Sequence, residues 1–187
     1  ITVSCAADVP VANPALVIIT SNPCPNPAVV TFVNDVISSQ TCTNRYTITR
    51  TYRAVNPCCP STPTLCSQTI IVNDITPPSI VCPAPVTVTC AANMPTVNTG
   101  SVIAADGCGN TGIVVTHVKD STVNMTCVNR FTTYRFYQAT DVCGNTRSCS
   151  QIITVNDNVL PTAICKAAIV YINNLGQAIV TGLDVNN

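Results

Sequence analysis

A repeat of roughly 85 residues, with cysteines at matching positions, constrains the fold of this chain more than any other feature. Residues 1–10 match residues 86–95 at an offset of 85, and residues 42–46 match residues 127–131 at the same offset. Cysteine, arginine, asparagine and proline recur in the same order. We therefore interpret the chain as tandem copies of one structural unit.

A further match sets the predicted domain boundaries. Residues 66–74 match residues 149–157, and in both places a proline-containing linker follows. We expect the chain to be a segment of a longer secreted protein. The predicted units are repeat 1 over 1–76, repeat 2 over 77–160, and the start of a third repeat over 161–187.

The composition predicts strands throughout. Val, Ile and Thr account for 70 of the 187 residues, and their branched side chains lose rotamer freedom in helices but pack well on a pleated sheet. Short strands separated by turns, such as the Gly-Asn turn within 141–146, are typical of β-sandwiches. The sequence thus predicts an all-β protein of tandem disulfide-rich, immunoglobulin-like β-sandwich modules arranged head to tail.

The 13 cysteines predict a disulfide framework formed in an oxidising, extracellular compartment. Zinc ligation is the alternative. It is disfavoured because the chain has a single histidine, His117, and no Cys-x-x-Cys pair.

Sandwich topology predicts the pairing of these cysteines. In repeat 2, four cysteines fall at one end of the module and two at the other, and exchange of partners among the four stays open because sequence alone does not fix connectivity. The predicted bridges of repeat 2 are Cys82–Cys149, Cys90–Cys127 and Cys108–Cys143. By equivalence, repeat 1 has Cys5–Cys42 and Cys24–Cys58. Cys66 pairs either with a cysteine upstream of Ile1 or with Cys59, and we take Cys59–Cys66. Cys165 is expected to pair beyond Asn187.

Several of these segments resemble a known family. The segments 74–78, 82–90, 139–145 and 149–151 are similar to the HYR-like repeats of very large cell-surface proteins of Bacteroidota, of which the gliding-motility adhesins are the best known. The resemblance covers nearly the whole chain. It implies an immunoglobulin-like fold, export to the cell surface, a place among many repeats of an adhesive filament, and no catalytic residue.

Calcium is the one cofactor that the sequence suggests, through oxygen-bearing side chains near the module ends. The alternative is that these Asp and Asn residues cap turns through backbone hydrogen bonds. The chain has no Glu, and so few carboxylates are available for six to eight ligands. The candidate ligands are Asp106, Asn110, Asp141 and Asn145 in one cluster, and Asn156 and Asp157 in the second linker.

Two residues are candidates for glycosylation. Asn124 lies in an Asn-Met-Thr triplet, which fits the acceptor pattern for N-linked glycans. Ser121 lies in an Asp-Ser-Thr triplet, which resembles the O-linked acceptor of Bacteroidota. Such triplets also arise by chance in threonine-rich chains.

These observations favour a non-enzymatic, structural function. A single histidine cannot supply a catalytic pair in each repeat. Zero net charge does not provide the excess of basic residues that is typical of nucleic-acid binders. No apolar run reaches the ~20 residues of a membrane span. We predict a stalk segment of a long extracellular adhesin or cell-surface filament, with neighbouring repeats of the same chain as partners. The alternative is an adhesive module that binds surface glycans, proteins or other filament subunits through the loops around Cys108 and Cys143.

Overall fold

The computed structural model describes residues 1–22, 25–164 and 169–178. Within these residues the regular structure consists of strands and single-turn 3-10 helices, which confirms the all-β prediction. The strands are β1 (Thr2–Val3), β2 (Val29–Cys42), β3 (Arg45–Asn56), β4 (Cys59–Asn73), β5 (Ser79–Val81), β6 (Val86–Val88), β7 (Ile103–Ala105), β8 (Val114–Cys127), β9 (Arg130–Thr140) and β10 (Thr146–Asn156).

Two four-stranded sheets share one topology. Sheet 1 has the order β1-β4-β3-β2, and sheet 2 has the order β6-β10-β9-β8. In each sheet the short first strand runs parallel to the last strand, whereas the remaining pairs are antiparallel. The register repeats as well, since Thr2 pairs with Ile71 and Thr87 with Thr154. The sequence repeat is therefore also a repeat of strand pairing.

One face of each sheet is buried. Along β9 the side chains alternate, with Phe131, Tyr137 and Ala139 among the buried residues and their neighbours more exposed. Ile48 on β3 and Ile70 on β4 occupy the same face of sheet 1. This period of two is the pattern expected of a sheet that covers a core on one side only.

The layer opposite each sheet is less regular than a sandwich predicts. Over sheet 2, β5 and β7 form a two-stranded antiparallel sheet that approaches β9 and β10. Over sheet 1, the described residues 1–22 contain β1 and two 3-10 turns, Ala6–Asp8 and Pro14–Leu16. Prolines recur in these covering segments, and they cannot donate hydrogen bonds to a strand ladder.

A buried arginine ties each covering segment to its sheet. Arg135 on β9 donates to both carboxylate oxygens of Asp120 on β8 and, at 2.7 Å, to the carbonyl of Pro95. Arg50 makes the same bonds to Asp35 and, at 2.7 Å, to the carbonyl of Pro10. The sheet and its cover are thus joined by a hydrogen-bonded ion pair at the same place in both repeats.

Strand β8 is longer than the sequence suggested. Residues 112–118 predict a short strand, whereas β8 runs to Cys127 with register shifts after His117 and after Val123. The pairing of Asp120 with Arg135 keeps this segment in the sheet.

Sheet 2 receives the chain at one end and releases it at the other. Pro78 and the turn after β9 lie at the end that faces sheet 1. Strands β8 and β10 both run away from that end, and β10 finishes at Asn156 opposite Arg130. The entry and exit points of this repeat therefore lie at opposite ends of sheet 2.

Candidate functional site

The two sheets meet at a joint that disulfides and hydrogen bonds hold together. The joint comprises the turn between β2 and β3, the linker 74–78, and the loops 106–112 and 141–145 of repeat 2. Asp74 in the linker is 1% exposed. Its amide donates to the carbonyl of Asn44 at 3.0 Å, and its Oδ1 accepts from the amide of Thr76 at 3.0 Å. These bonds fix the first turn of the linker as it leaves sheet 1.

Two disulfides cross the joint. Cys5, which follows β1, is bonded to Cys108, and Cys42, at the end of β2, is bonded to Cys143. The partners are 103 and 101 residues apart in the sequence. Two covalent links between the same pair of sheets hold their orientation far more tightly than a single linker could.

Arg45 organises the polar part of the joint. Its Nη1 donates to the carbonyl of Cys143 at 3.1 Å, and its Nη2 donates to the carbonyl of Asp74 and to Oδ1 of Asn145. Asn145 in turn donates from Nδ2 to the Asp74 carbonyl at 3.2 Å. One side chain of sheet 1 therefore bonds the linker and the tip of sheet 2 together.

Local turn chemistry presents Cys143 to sheet 1. Asp141 is buried, and its Oδ1 accepts from the amides of Cys143 and Asn145 at 2.8 and 2.9 Å. Gly144 has φ +83°, which a side chain would strain. Gly112 lies so close to Val142 that an added Cβ would come within 2.4 Å of a Val142 methyl. These residues are needed for the shape of the loop pair.

Two carboxylate oxygens in the joint have no hydrogen-bond donor. Asp106 uses Oδ1 to accept from the Cys108 amide at 2.7 Å, while its Oδ2 is buried and unpartnered. Oδ2 of Asp74 is also buried and unpartnered. A carboxylate oxygen from each residue lies within 4.8 Å of the other and of Cys108 Sγ, which is committed to a disulfide. A cation that contacted both carboxylates would offset their negative charge.

The structure corrects most of the predicted disulfides. Cys5–Cys42 and Cys108–Cys143 are wrong, because these four cysteines pair across the joint instead. Cys90–Cys127 and Cys59–Cys66 are also wrong, since all four thiols are free. The prediction placed the paired cysteines at the right ends of their repeats, but it did not bring the ends of two repeats together.

The remaining cysteines fall into two groups. The predicted bridge Cys82–Cys149 is present. Cys58 is disulfide-bonded, and its predicted partner Cys24 lies outside the described residues, as does Cys165. The three described bridges indicate an oxidising, extracellular environment.

Asp106 and Asp141, two of the four predicted calcium ligands of the first cluster, line one cavity beside the turn between β2 and β3. Asp106 and Asn110 are joined by a bond from the Asp106 amide to Asn110 Oδ1 at 2.8 Å, which is a turn cap. Asn145 donates from Nδ2 to Oδ2 of Asp141 at 2.8 Å, and Asn156 and Asp157 lie at the opposite end of sheet 2. Asp74, which has a carboxylate oxygen within 4.8 Å of one of Asp106, was not among the predicted ligands. The available signal was that Asp74 matches Asp157 in the repeat, which was predicted.

The two glycosylation candidates differ in their surroundings. Asn124 is exposed and has φ +54°, within the irregular stretch of β8 that follows Val123. Ser121 is half-buried and lies in regular pairing with Tyr134. A surface glycan is therefore easier to accommodate at Asn124, and both remain predictions.

The single histidine belongs to an ion-pair group. His117 Nε2 lies 2.8 Å from Oδ1 of Asp120, which also accepts from Arg135. The Arg135 hydrogen bond is the main cause that lowers the pKa of Asp120 from its ordinary value, and His117 adds to it. This arrangement holds β8 to β9, and Arg135 is 5% exposed.

Comparison with known proteins finds no protein-family model that matches the chain and no curated protein with significant sequence similarity. Among the described residues, no helix has the length and apolar character needed to cross a bilayer. Inferences about function therefore depend on the geometry of the joint.

Proposed function

We propose that the chain is a load-bearing stalk segment of a long extracellular adhesin or cell-surface filament, built from tandem immunoglobulin-like modules. The observation that carries this proposal is the pair of disulfides across the joint. Each such bridge stabilises by about 2–4 kcal/mol, and two between the same sheets oppose both bending and separation. A protein whose role is to keep its length and direction needs such a joint, whereas a flexible linker would suffice for independent binding modules.

The route that tension takes through the chain supports the same function. The shortest covalent path from Ile1 towards Asn156 passes through Cys5–Cys108, back along residues 108 to 82, and out through Cys82–Cys149. Strands β2, β3 and β4 lie off this path inside the first loop, and β8 and β9 lie off it inside the second. Pulling on the ends therefore loads the bridges, and most of both sheets cannot be drawn out into extended chain.

Strand order supports the immunoglobulin-like assignment. The first strand of each repeat pairs in parallel with the last, and in repeat 2 the strands β5 and β7 add a second layer. Chain entry and exit at opposite ends of sheet 2 suit head-to-tail stacking. Because the sequence resembles the HYR-like repeats of large cell-surface proteins, we propose that the stalk lies at the surface of the cell.

The alternative, a module that binds glycans or proteins through the loops around Cys108 and Cys143, has less support. Both cysteines are bonded to sheet 1, and the neighbouring Asn145 and Asp141 are occupied by hydrogen bonds within the joint. Loops held in this manner are poorly placed to receive a ligand.

Immunogold labelling of the source cells tests the function directly. Antibodies raised against the chain should decorate thin filaments along their length at the cell surface. Label confined to the medium, or to single points on the surface, would contradict the stalk and favour a soluble or terminal recognition unit.

A further inference from the structure

The far end of sheet 2 carries a second copy of one half of the joint. By the far end we mean Cys90, Cys127, Asn129, Arg130 and Asp157, which are the sequence equivalents of joint residues on sheet 1.

Two hydrogen bonds that the asparagine accepts are the same at both places. Asn129 Oδ1 accepts from the Ala91 amide at 2.9 Å, as Asn44 Oδ1 accepts from the Ala6 amide at 2.9 Å. The amide of Asp157 donates to the carbonyl of Asn129 at 2.9 Å, and that of Asp74 to Asn44 at 3.0 Å.

The arginine and the linker aspartate complete the match. Arg130 Nη2 donates to the carbonyl of Asp157 at 2.7 Å, as Arg45 Nη2 does to the carbonyl of Asp74. Oδ1 of Asp157 accepts from the amide of Val159 at 3.1 Å, which repeats the first turn of the linker after Asp74. The far end is thus preformed.

Only the contacts that a partner would supply are missing. Arg45 bonds Cys143 and Asn145 on the next sheet, whereas among the described residues Arg130 bonds Asp157 alone. Arg130 and the Cys127 thiol are exposed. Cys90 and Cys127 are both free, although their equivalents in the joint are both in disulfides.

We infer that the far end of sheet 2 is a docking site for a further module of the same kind, which it binds through two disulfides from Cys90 and Cys127. Cys90 takes a cysteine placed as Cys108 is, and Cys127 one placed as Cys143 is. The asparagine after the second cysteine, equivalent to Asn145, accepts from Arg130. This inference rests on the stalk function proposed above, and it names the partner and the residues that bind it.

The chemistry requires a disulfide oxidant, supplied by a thiol–disulfide oxidoreductase or by a small disulfide. The Cys127 thiolate attacks one sulfur of the oxidant and forms a mixed disulfide with it, and the other sulfur of the oxidant leaves as a thiolate. The partner's thiolate then attacks the Cys127 sulfur and releases the second thiol. Formation of each bridge removes two protons and two electrons from two protein thiols. The oxidant disulfide takes up both and is reduced to two thiols.

A lengthened chain tests this inference. A second copy of residues 78–160 is inserted after Leu160 of the full chain, and the protein is refolded in a glutathione redox buffer. The insertion point keeps the distance from Asp157 to the next cysteine equal to that from Asp74 to Cys82. The chain is then cleaved without reduction at aspartate, lysine and arginine, and its linked peptides are identified by mass spectrometry.

The expected product links peptide 120–130, which contains Cys127, to a copy of 141–147, and peptide 74–105, which contains Cys90, to a copy of 106–119. Linkage of 74–105 to 120–130, with the inserted 106–119 and 141–147 joined to each other, would overturn the inference. The first joint is the internal control, because its peptides 1–7 and 35–45 should still be linked to 106–119 and 141–147. If the links fail at the second joint alone, only this inference falls. If they fail at both joints, the stalk proposal falls with it.

Discussion

Cys42 is bonded to Cys143 of the next sheet, 101 residues away, and not to Cys5, which lies at the same end of sheet 1 and is bonded to Cys108. The two cysteines that a single module could have paired are both used to hold its neighbour. These two bridges add covalent stabilisation at the boundary between the repeats, beside the Cys82–Cys149 bridge inside repeat 2.

Mechanical extension tests the load path. We expect the oxidised chain, pulled from its two ends, to stop extending well before the reduced chain. The bridges keep residues 6–81 and 109–148 inside closed loops. Since an extended residue spans up to ~3.5 Å, the difference in extended length should be about 400 Å. Single-molecule pulling with and without a reductant measures it. Equal extension in the two conditions would show that the bridges do not carry the load.

Arg45 should matter more than its repeat equivalent Arg130. Arg45→Ala leaves the carbonyl of Cys143 and Oδ1 of Asn145 without this donor, and we expect a loss of about 1–3 kcal/mol in the free energy of unfolding. Arg130→Ala removes a bond only to Asp157 and is the matched control, with a smaller expected loss. Denaturant unfolding of the oxidised chain compares them. Equal losses would argue that the cross-joint bonds contribute nothing.

The Asp120–Arg135 pair should make stability depend on acid pH. The Arg135 hydrogen bond lowers the pKa of Asp120 in the folded chain below its ordinary value of 3.8. The carboxylate therefore stabilises the fold above about pH 4, and this contribution is lost as the pH falls through the lowered folded-state pKa.

Asp120→Asn isolates that contribution. We expect it to cost about 1–3 kcal/mol at pH 7, because buried Arg135 loses its charged partner, and to cost much less below pH 3. Asp8→Asn is the control, since the exposed Asp8 carboxylate makes no bond or ion pair among the described residues. Thermal unfolding at several pH values measures both variants. A cost for Asp120→Asn that is the same at pH 7 and pH 2.5 would contradict the assigned role of the ion pair.

The unpartnered oxygens of Asp74 and Asp106 give the calcium prediction its most specific form. We expect millimolar calcium to raise the melting temperature above its value in a chelator, and Asp106→Asn to remove most of this rise. Asp157→Asn changes the equivalent linker aspartate at the far end, and it should leave the rise intact. Identical melting temperatures in calcium and in chelator would contradict calcium binding at these two carboxylates.

The repeat, the all-β class and the ends at which cysteines lie were all predictable from sequence. Offsets in Cys, Asn and Arg positions report strand pairing reliably, because register in a one-sided sheet is fixed by which residues face the core. The register of Thr2 with Ile71 and of Thr87 with Thr154 confirms this.

The joint was not predictable in the same way. Cys5 and Cys42 share an end, and so do Cys108 and Cys143, but sequence does not say that these two ends meet. Asp74 was missed because its role comes from burial at a contact between repeats.

Disulfide mapping of the unmodified chain tests the central claim most directly. Cleavage at aspartate, lysine and arginine puts each of the four joint cysteines in its own peptide. We expect peptide 1–7 to be linked to 106–119, and peptide 35–45 to be linked to 141–147. Linkage of 1–7 to 35–45, and of 106–119 to 141–147, would mean that each module closes on itself, and would contradict a covalently locked joint.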